Sequence, residues 1–212
     1  PIGVVGLGLM GCSITTCLIM AGHKVIAVAP VAIDLEHADT RIQTHLTRSK
    51  EHGLINKELD YYLKQLTITE DYNLLKNCKV VIECTLENTD IKKSVYNKIE
   101  AVISSEAILT SNTSAIPISI LQKLTQFPNR FFGLHWAEPS HTTRFLEIIC
   151  GELSDPVKAE FLYQLSHHWG KEPTLVRKDI RGFITNRLMY SMYREAMWLV
   201  ENDYATIEDV DR

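Results

Sequence analysis

Long apolar runs are missing from this sequence: no segment approaches the roughly 20 residues a membrane-spanning helix needs. No secretory leader is expected either. The chain opens directly in a strand-like segment, Ile2 to Gly6, with no basic stretch, apolar stretch and cleavage site ahead of it. There is no initiator Met, which leaves a few residues outside this numbering. A basic excess is lacking, since 22 Lys and Arg face 26 Asp and Glu for a net charge of −4. That balance argues against a general nucleic-acid binder. Five cysteines, Cys12, Cys17, Cys78, Cys84 and Cys150, form no C-x-x-C pair and are odd in number. Neither a disulfide framework nor a metal site follows from that spacing. Buried, reduced thiols are expected, and with them a cytoplasmic protein that binds neither nucleic acid nor membrane. Internal repeats and low-complexity segments are also absent.

What is present is apolar material for a core. Hydrophobic residues make up 45% of the 212 positions and charged residues 23%. Short β-branched runs alternate with helix-compatible stretches. Ile2–Gly6, Lys24–Ala29, Thr67–Thr69, Lys79–Cys84, Ala107–Ser111, Arg130–His135, Phe145–Cys150 and Thr174–Arg177 read as strands. Leu9–Ala21, closed by Gly22, reads as a helix, as do Thr89–Ile103 and Asp155–Trp169, the last with Ser154 as its N-cap. This alternation predicts an α/β fold, a Rossmann-type doubly wound parallel sheet. Between Ile33 and Leu66 lies a charged stretch broken near Gly53, too long for one crossover. It predicts a helix pair leaving the sheet and returning. Beyond Asp179 the period turns helical, with Phe183, Leu188, Met192, Ala196 and Leu199 on overlapping faces. Thr206, three residues before Asp209, reads as the N-cap of one more helix. The expected domains are 1–178, a nucleotide-binding unit, and 179–212, the start of an all-α C-terminal domain.

Gly6-Leu7-Gly8-Leu9-Met10-Gly11 is a G-x-G-x-x-G placed after a strand and at the start of a helix. In that context it is the dinucleotide fingerprint: a tight turn, close approach of backbone to a pyrophosphate, and close helix–strand packing. The acid expected at the end of the second strand is replaced by Ala29, with Pro30 next and the nearest acid at Asp34. The first arginine after Val28 is Arg41. The expected cofactor is NAD, with NADP left open.

Four later segments carry chemistry. Glu83-Cys84-Thr85-Leu86-Glu87-Asn88 is followed by Lys92, then by Ser111-Asn112-Thr113-Ser114. Gly133-Leu134-His135-Trp136-Ala137-Glu138-Pro139 is followed by Glu147 in Phe145–Ile149, and then by Gly182-Phe183-Ile184-Thr185-Asn186-Arg187. His135, at a strand end in a sheet that carries a dinucleotide fingerprint, is the side chain best placed to exchange a proton near neutral pH. A carboxylate in the apolar run FLEII needs a partner, and an imidazole N–H is a suitable one.

In this order and spacing the segments resemble the L-3-hydroxyacyl-CoA dehydrogenase family along essentially the whole chain. The resemblance implies a hydride-transfer enzyme in which His135 and Glu147 are the catalytic pair, with Ser114 and Asn186 bonding the substrate oxygen. It implies cofactor contacts from Gly6, Gly8, Leu9, Met10, Gly11, Glu87, Lys92 and Asn112. It also implies a small-molecule substrate of acyl-CoA type and a homodimer formed through a helical domain that continues for several more helices. Arg48, Lys50 and Lys57 on the excursion are candidates for CoA phosphates, or simply a solvated helix face.

The chain departs from the family's usual H-F-F-N-P, reading His135-Trp136-Ala137-Glu138-Pro139. Glu138 and Arg144 therefore become candidate substrate-binding residues, and a non-CoA hydroxy acid or aromatic alcohol becomes an alternative substrate. A 3-hydroxyisobutyrate-type enzyme would use a lysine on the interdomain helix, and no Lys lies between Asp179 and Arg212. A non-catalytic nucleotide-binding relative is the remaining alternative. Two expectations concern packing: the Phe183–Val200 helix carries an apolar stripe left uncovered within one copy, and His141 has no partner.

Overall fold

The computed structural model describes residues 1–212. Eight strands form one sheet: β1 (Ile2–Val5), β2 (Val25–Val28), β3 (Leu66–Thr69), β4 (Val80–Glu83), β5 (Ile108–Ser111), β6 (Phe131–Trp136), β7 (Phe145–Cys150) and β8 (Glu172–Val176). The helices are α1 (Leu9–Met20), α2 (Ala32–Glu51), α3 (Leu59–Leu63), α4 (Thr89–Glu100), α5 (Ile118–Gln122), α6 (Pro156–His168), α7 (Thr185–Glu201) and α8 (Ile207–Asp211).

The strand order is β3-β2-β1-β4-β5-β6-β7-β8. Every pairing from β3 to β6 is parallel, β6 and β7 pair antiparallel, and β7 and β8 run parallel to each other. The chain winds outward from β1 in both directions, so the β1/β4 junction is the switch point where such sheets open a crevice at their carboxyl ends. Register lines up Val5, Glu83, Ser111 and Gly133 across β1, β4, β5 and β6. The residues just past these positions therefore gather along one edge.

Both faces are covered, as a sheet of continuous Val and Ile runs requires. On one side Val4, Ala27, Ile82 and Leu134 meet Ile14 and Leu18 of α1 and Leu162 of α6. On the other Val5, Val81 and Leu109 meet Tyr96 and Ile99 of α4 and Leu121 of α5. Helix α1 is buried without a break from Gly11 to Ile19. The excursion is α2, a loop and α3, with Ala38, Ile42, Leu46 and Tyr62 returned to the first core.

Three local details differ from the sequence reading. The N-cap of α6 is Asp155, whose carboxylate accepts the Val157 amide. Ser154 instead ties down the preceding turn, accepting from Gly151 N at 2.9 Å and donating to Phe131 O at 3.0 Å. Helix α7 starts only at Thr185, and Phe183 precedes it with φ of 50° and a fully buried ring. Lys50 and Lys57 serve the excursion itself: Lys50 pairs with Glu58 at 2.7 Å, and the Lys57 ammonium lies 3.6 Å from the Tyr61 ring centre.

The apolar stripe of α7 is uncovered: Leu188 is 66% exposed and Met192 63%, and α7 has no buried residue. Thr206 caps α8 by accepting the Asp209 amide. No helix of the chain is long and apolar enough to cross a membrane.

Candidate active site

The glycine turn after β1 is shaped for a ligand's backbone approach. At Gly6, with φ of +99°, a Cβ would lie 2.7 Å from the Cys84 carbonyl oxygen, and at Gly11 it would lie 1.7 Å from that of Gly6. At Gly8 the same atom would meet nothing within 4 Å. The turn is closed where strand and helix touch and open where a pyrophosphate would rest. Gly8 also caps α1 without any side-chain bond, and the first turn holds no acid, so its amides stay free for an anion. Leu9, largely exposed, and Met10 open the helix at this rim. These residues fit a dinucleotide.

Arg41 reaches back from α2 to the turn. Its Nη1 donates to Leu7 O at 2.9 Å and lies 3.7 Å from Asp34 Oδ1. The guanidinium is thus already engaged at the place where a 2′-phosphate would need a free cation. Ala29 is buried at the end of β2 and its amide bonds Thr69 O. Cys12 beneath the turn is no nucleophile: burial above all pushes its thiol up to about 11.

Past β4 lies a buried polar network that the sequence reading did not assemble. Glu83 and Lys92 are both essentially inaccessible and pair at 2.9 Å. Glu83 also accepts from Ser111 Oγ at 2.6 Å, Tyr96 OH at 3.1 Å and Thr85 N at 2.6 Å. The signal was a carboxylate ending the apolar strand VVIE with a lysine one turn into the next helix. Lys92 further lies 3.4 Å from Glu87 Oε2. Glu87 Oε1 in turn accepts from Thr113 Oγ1 and from the amides of Ser114 at 3.1 Å and Ala115 at 3.2 Å. Burial pushes the Glu87 carboxyl up, but the Thr113 bond, the Lys92 charge and the Ala115 amide outweigh it and hold it low. Lys92 therefore sits behind the wall of the crevice, while Glu87 shapes the loop that presents Ser114.

Directly opposite each other in the β6–β7 ladder stand His135 and Glu147. His135 Nδ1 lies 2.8 Å from Glu147 Oε2. A carboxylate only accepts, so the shared proton sits on Nδ1 and the lone pair of the neutral ring is on Nε2. Nε2 has no partner within the chain. The other oxygen of Glu147 accepts the amides of Ile184 and Thr185, each at 3.0 Å, and so caps α7. Burial pushes the Glu147 carboxyl up, yet His135 and these two amides hold it below the usual range. Phe145 and Phe183 close on the imidazole, with ring centres 5.7 and 5.5 Å away.

Asn186, in the first turn of α7, donates from Nδ2 to Ser114 O at 3.1 Å. Asn112 accepts the Trp136 amide at 3.1 Å, tying the ends of β5 and β6 together. His135, Glu147, Ser114 and Asn186 are thereby brought to one place, at the seam between the sheet and α7.

The loop after β6 is anchored to α1. Ser140 N donates to Ser13 Oγ at 2.8 Å, and the buried Lys171 ammonium donates to the carbonyls of Ser140 and Thr143. Glu138 is exposed at the rim. Partial burial raises its carboxyl, offset in part by bonds from Ser13 and the Ser140 amide. Arg144 is not part of this site: it is exposed and pairs with Glu172 at 3.1 Å. His141 does have partners. Its ring stacks on His45 at 4.6 Å between centres and its Nδ1 lies 3.1 Å from Ser13 Oγ.

All five cysteines are free. No group of three or more His, Cys, Asp or Glu is placed to hold a metal ion.

The sequence matches two families of protein domains. Residues 1–180 match "3-hydroxyacyl-CoA dehydrogenase, NAD binding domain", and residues 182–212 match "3-hydroxyacyl-CoA dehydrogenase, C-terminal domain". Among curated relatives, the 5-formyl-3-hydroxy-2-methylpyridine 4-carboxylate 5-dehydrogenase of Mesorhizobium japonicum is 34% identical over 99% of this chain and 68% of its own length. The 3-hydroxybutyryl-CoA dehydrogenase of Mycobacterium tuberculosis is 30% identical over 100% of this chain and 74% of its own. Among solved structures, an NAD+-dependent dismutase described as 5-formyl-3-hydroxy-2-methylpyridine 4-carboxylic acid 5-dehydrogenase superposes with a TM-score of 0.89 at 32% identity, over 99% of this chain and 68% of that one. The (S)-3-hydroxybutyryl-CoA dehydrogenase of Ralstonia eutropha superposes with 0.92 at 27% identity, over 98% and 74%.

Proposed function

The chain belongs to the 3-hydroxyacyl-CoA dehydrogenase family, as an NAD-dependent oxidoreductase of that type, and from that premise we propose that it interconverts a 3-hydroxyacyl-CoA and a 3-oxoacyl-CoA. The observation that carries this reading is the His135–Glu147 pair, with Nε2 of His135 unpaired and Glu147 joined to the start of α7, whose Asn186 bonds Ser114.

NAD+, when bound, supplies the acceptor for the hydride, and its pyrophosphate is held by the turn Gly6, Gly8, Leu9, Met10 and Gly11. In the oxidation direction His135 Nε2 takes the hydroxyl proton as the C–H bond gives up its electron pair, and the C–O bond becomes C=O. The proton leaves His135 for solvent. Glu147 keeps the Nδ1 proton in place and stabilises the imidazolium. Ser114 Oγ and Asn186 Nδ2 donate to the substrate oxygen, on which negative charge grows. Glu87, Lys92 and Asn112 shape the nicotinamide end of the crevice, Glu87 and Asn112 from its wall and Lys92 from behind it. Residues 1–178 form the nucleotide-binding domain and 179–212 begin the substrate domain, whose exposed stripe on α7 suits a homodimer.

A second reading is a non-CoA hydroxy acid or aromatic alcohol on the same site. Ala137 and Glu138 favour it, since they replace an aromatic ring and an amide with space and a carboxylate, and one relative is named for a pyridine substrate.

The test is NADH oxidation with acetoacetyl-CoA, followed in the reduced nicotinamide band, with His135→Gln as control. Turnover abolished by His135→Gln supports the reading. Binding of NADH without turnover of acetoacetyl-CoA moves the assignment to the non-CoA substrates.

A further inference from the structure

Beside Ser114 and Asn186 the structure opens a cavity of about 520 Å³ between the loop after β5 and helix α7. Its walls include Arg181, Arg187, Tyr190 and Arg194, and no acidic residue. Arg187, Tyr190 and Arg194 fall on one helix face by their spacing of three and seven residues. Arg181 faces them from the segment that precedes α7. The arginine ion pairs of the chain use Arg41, Arg130, Arg144 and Arg212. None of the three guanidiniums of the cavity, all exposed, pairs with an acid, so like charges stand together.

Like charges in one cleft repel, and an anion that joins them relieves the repulsion. Guanidinium groups match a carboxylate in planar, two-pronged fashion better than any other side chain does. The dinucleotide's own phosphates have their place at the glycine turn and α1, none of whose residues lines this cavity. We propose that this cavity receives a carboxylate of the substrate, held by Arg181, Arg187 and Arg194, next to the carbon whose oxygen Ser114 and Asn186 contact. The inference rests on the reading of that oxygen site given above and narrows the substrate to one that bears a carboxylate. The carboxylate is a handle for binding and takes no part in the electron transfer. Two sources fit the same chemistry: the terminal carboxylate of a dicarboxylic acyl-CoA, or the ring carboxylate of a small aromatic substrate.

The test pairs compounds of one shape and different charge, on the full chain loaded with NAD+. For turnover, 3-hydroxyadipyl-CoA is set against 3-hydroxyhexanoyl-CoA, which has the same six-carbon acyl chain and no terminal carboxylate. For binding alone, pyridine-4-carboxylate is set against pyridine-4-carboxamide by calorimetry. We expect the carboxylate to be favoured about tenfold in at least one pair, as for loss of one charged hydrogen bond. Arg181→Gln and Arg194→Gln should each shrink that preference toward one, and Arg194→Lys should keep part of it. Preference in the first pair names an acyl-CoA source, and preference in the second only names a ring carboxylate. Absence of turnover with both CoA esters would count against the oxidoreductase reading on CoA substrates, while calorimetry still decides the cavity. Equal affinity for both members of both pairs overturns the proposal. So does a preference that survives Arg181→Gln and Arg194→Gln unchanged, or a variant that weakens charged and uncharged ligands alike.

Discussion

Glu147 holds His135 with one oxygen and the first amides of α7 with the other, so a single carboxylate joins the imidazole to the helix that carries Asn186. Glu147→Gln keeps the shape and removes the charge. We expect kcat to fall by roughly 100-fold or more, with the KM for NAD+ little changed, because the pyrophosphate turn lies on β1 and α1. The native carboxyl titrates below its usual value, so the stability that Glu147 contributes is complete above the ordinary range near about 4.3. It is lost as pH falls through the lowered native value. Urea midpoints of the native protein and Glu147→Gln should therefore stand apart by a constant amount at neutral pH and converge in acid. A gap that widens in acid would contradict this.

Lys92→Met strands the Glu83 carboxylate in a dry interior. Removing one partner of a buried pair costs about 3–5 kcal/mol. In a chain of this size that lowers Tm by roughly 10 °C. The double change Glu83→Gln with Lys92→Met should recover much of the loss, since the uncompensated charge goes with it. A thermal scan of the three proteins is sufficient, and a single variant as stable as the native chain would refute the assignment of the pair.

His141 makes stability depend on pH in the range just above that one. Burial foremost, with the charges of His45, Lys171 and Arg48, pushes its imidazole down to about 4. The native state thus binds fewer protons than the unfolded chain below about 6.5, and stability declines as pH falls from there toward about 4. His141→Asn should flatten that decline. A proton titration of the His141 ring by NMR should find it neutral at pH 5, and a ring already charged there would rule the effect out.

Arg41 supports the glycine turn from outside through the Leu7 carbonyl. Arg41→Ala should raise the KM for NAD+ about tenfold, the scale of one charged hydrogen bond, with the effect in KM rather than kcat. Steady-state kinetics at saturating substrate would show it. An unchanged KM would mean that the turn holds its form without this bond.

The sequence made the parallel core readable because runs such as VIAV and the VVI of β4 are uniformly apolar and separated by helix-length segments. Gly6 and Gly11 were readable because backbone geometry at those positions tolerates little else, and Gly8 because a pyrophosphate needs the open space beside it. His135 and Glu147 were paired through family resemblance together with the demand of a buried acid for a donor. The direction of β7 was not readable: FLEIIC packs equally well parallel or antiparallel, and the short connection from β6 decides it. The cap of α6 was misplaced because Ser154 and Asp155 are both good caps and only the turn at Gly151 separates them. Phe183 continued a helical spacing but belongs to the turn before the helix, where its ring closes over His135. The stack of His45 on His141 and the gathering of Arg181, Arg187 and Arg194 each depend on tertiary placement. One at a time, such residues read as ordinary solvated charge.

The antiparallel pairing of β6 with β7 has a consequence for how this protein can change. The two strands hold His135 against Glu147 by ladder register alone, and the connection between them, residues 137–144, lies outside that ladder. Residues can be exchanged there, or added, while the ladder stays in step. A slip of one position within either strand would turn its side chain to the other face of the sheet. The pairing of His135 with Glu147 is thus fixed by backbone register, while the eight-residue connection beside it can vary in sequence without disturbing that register.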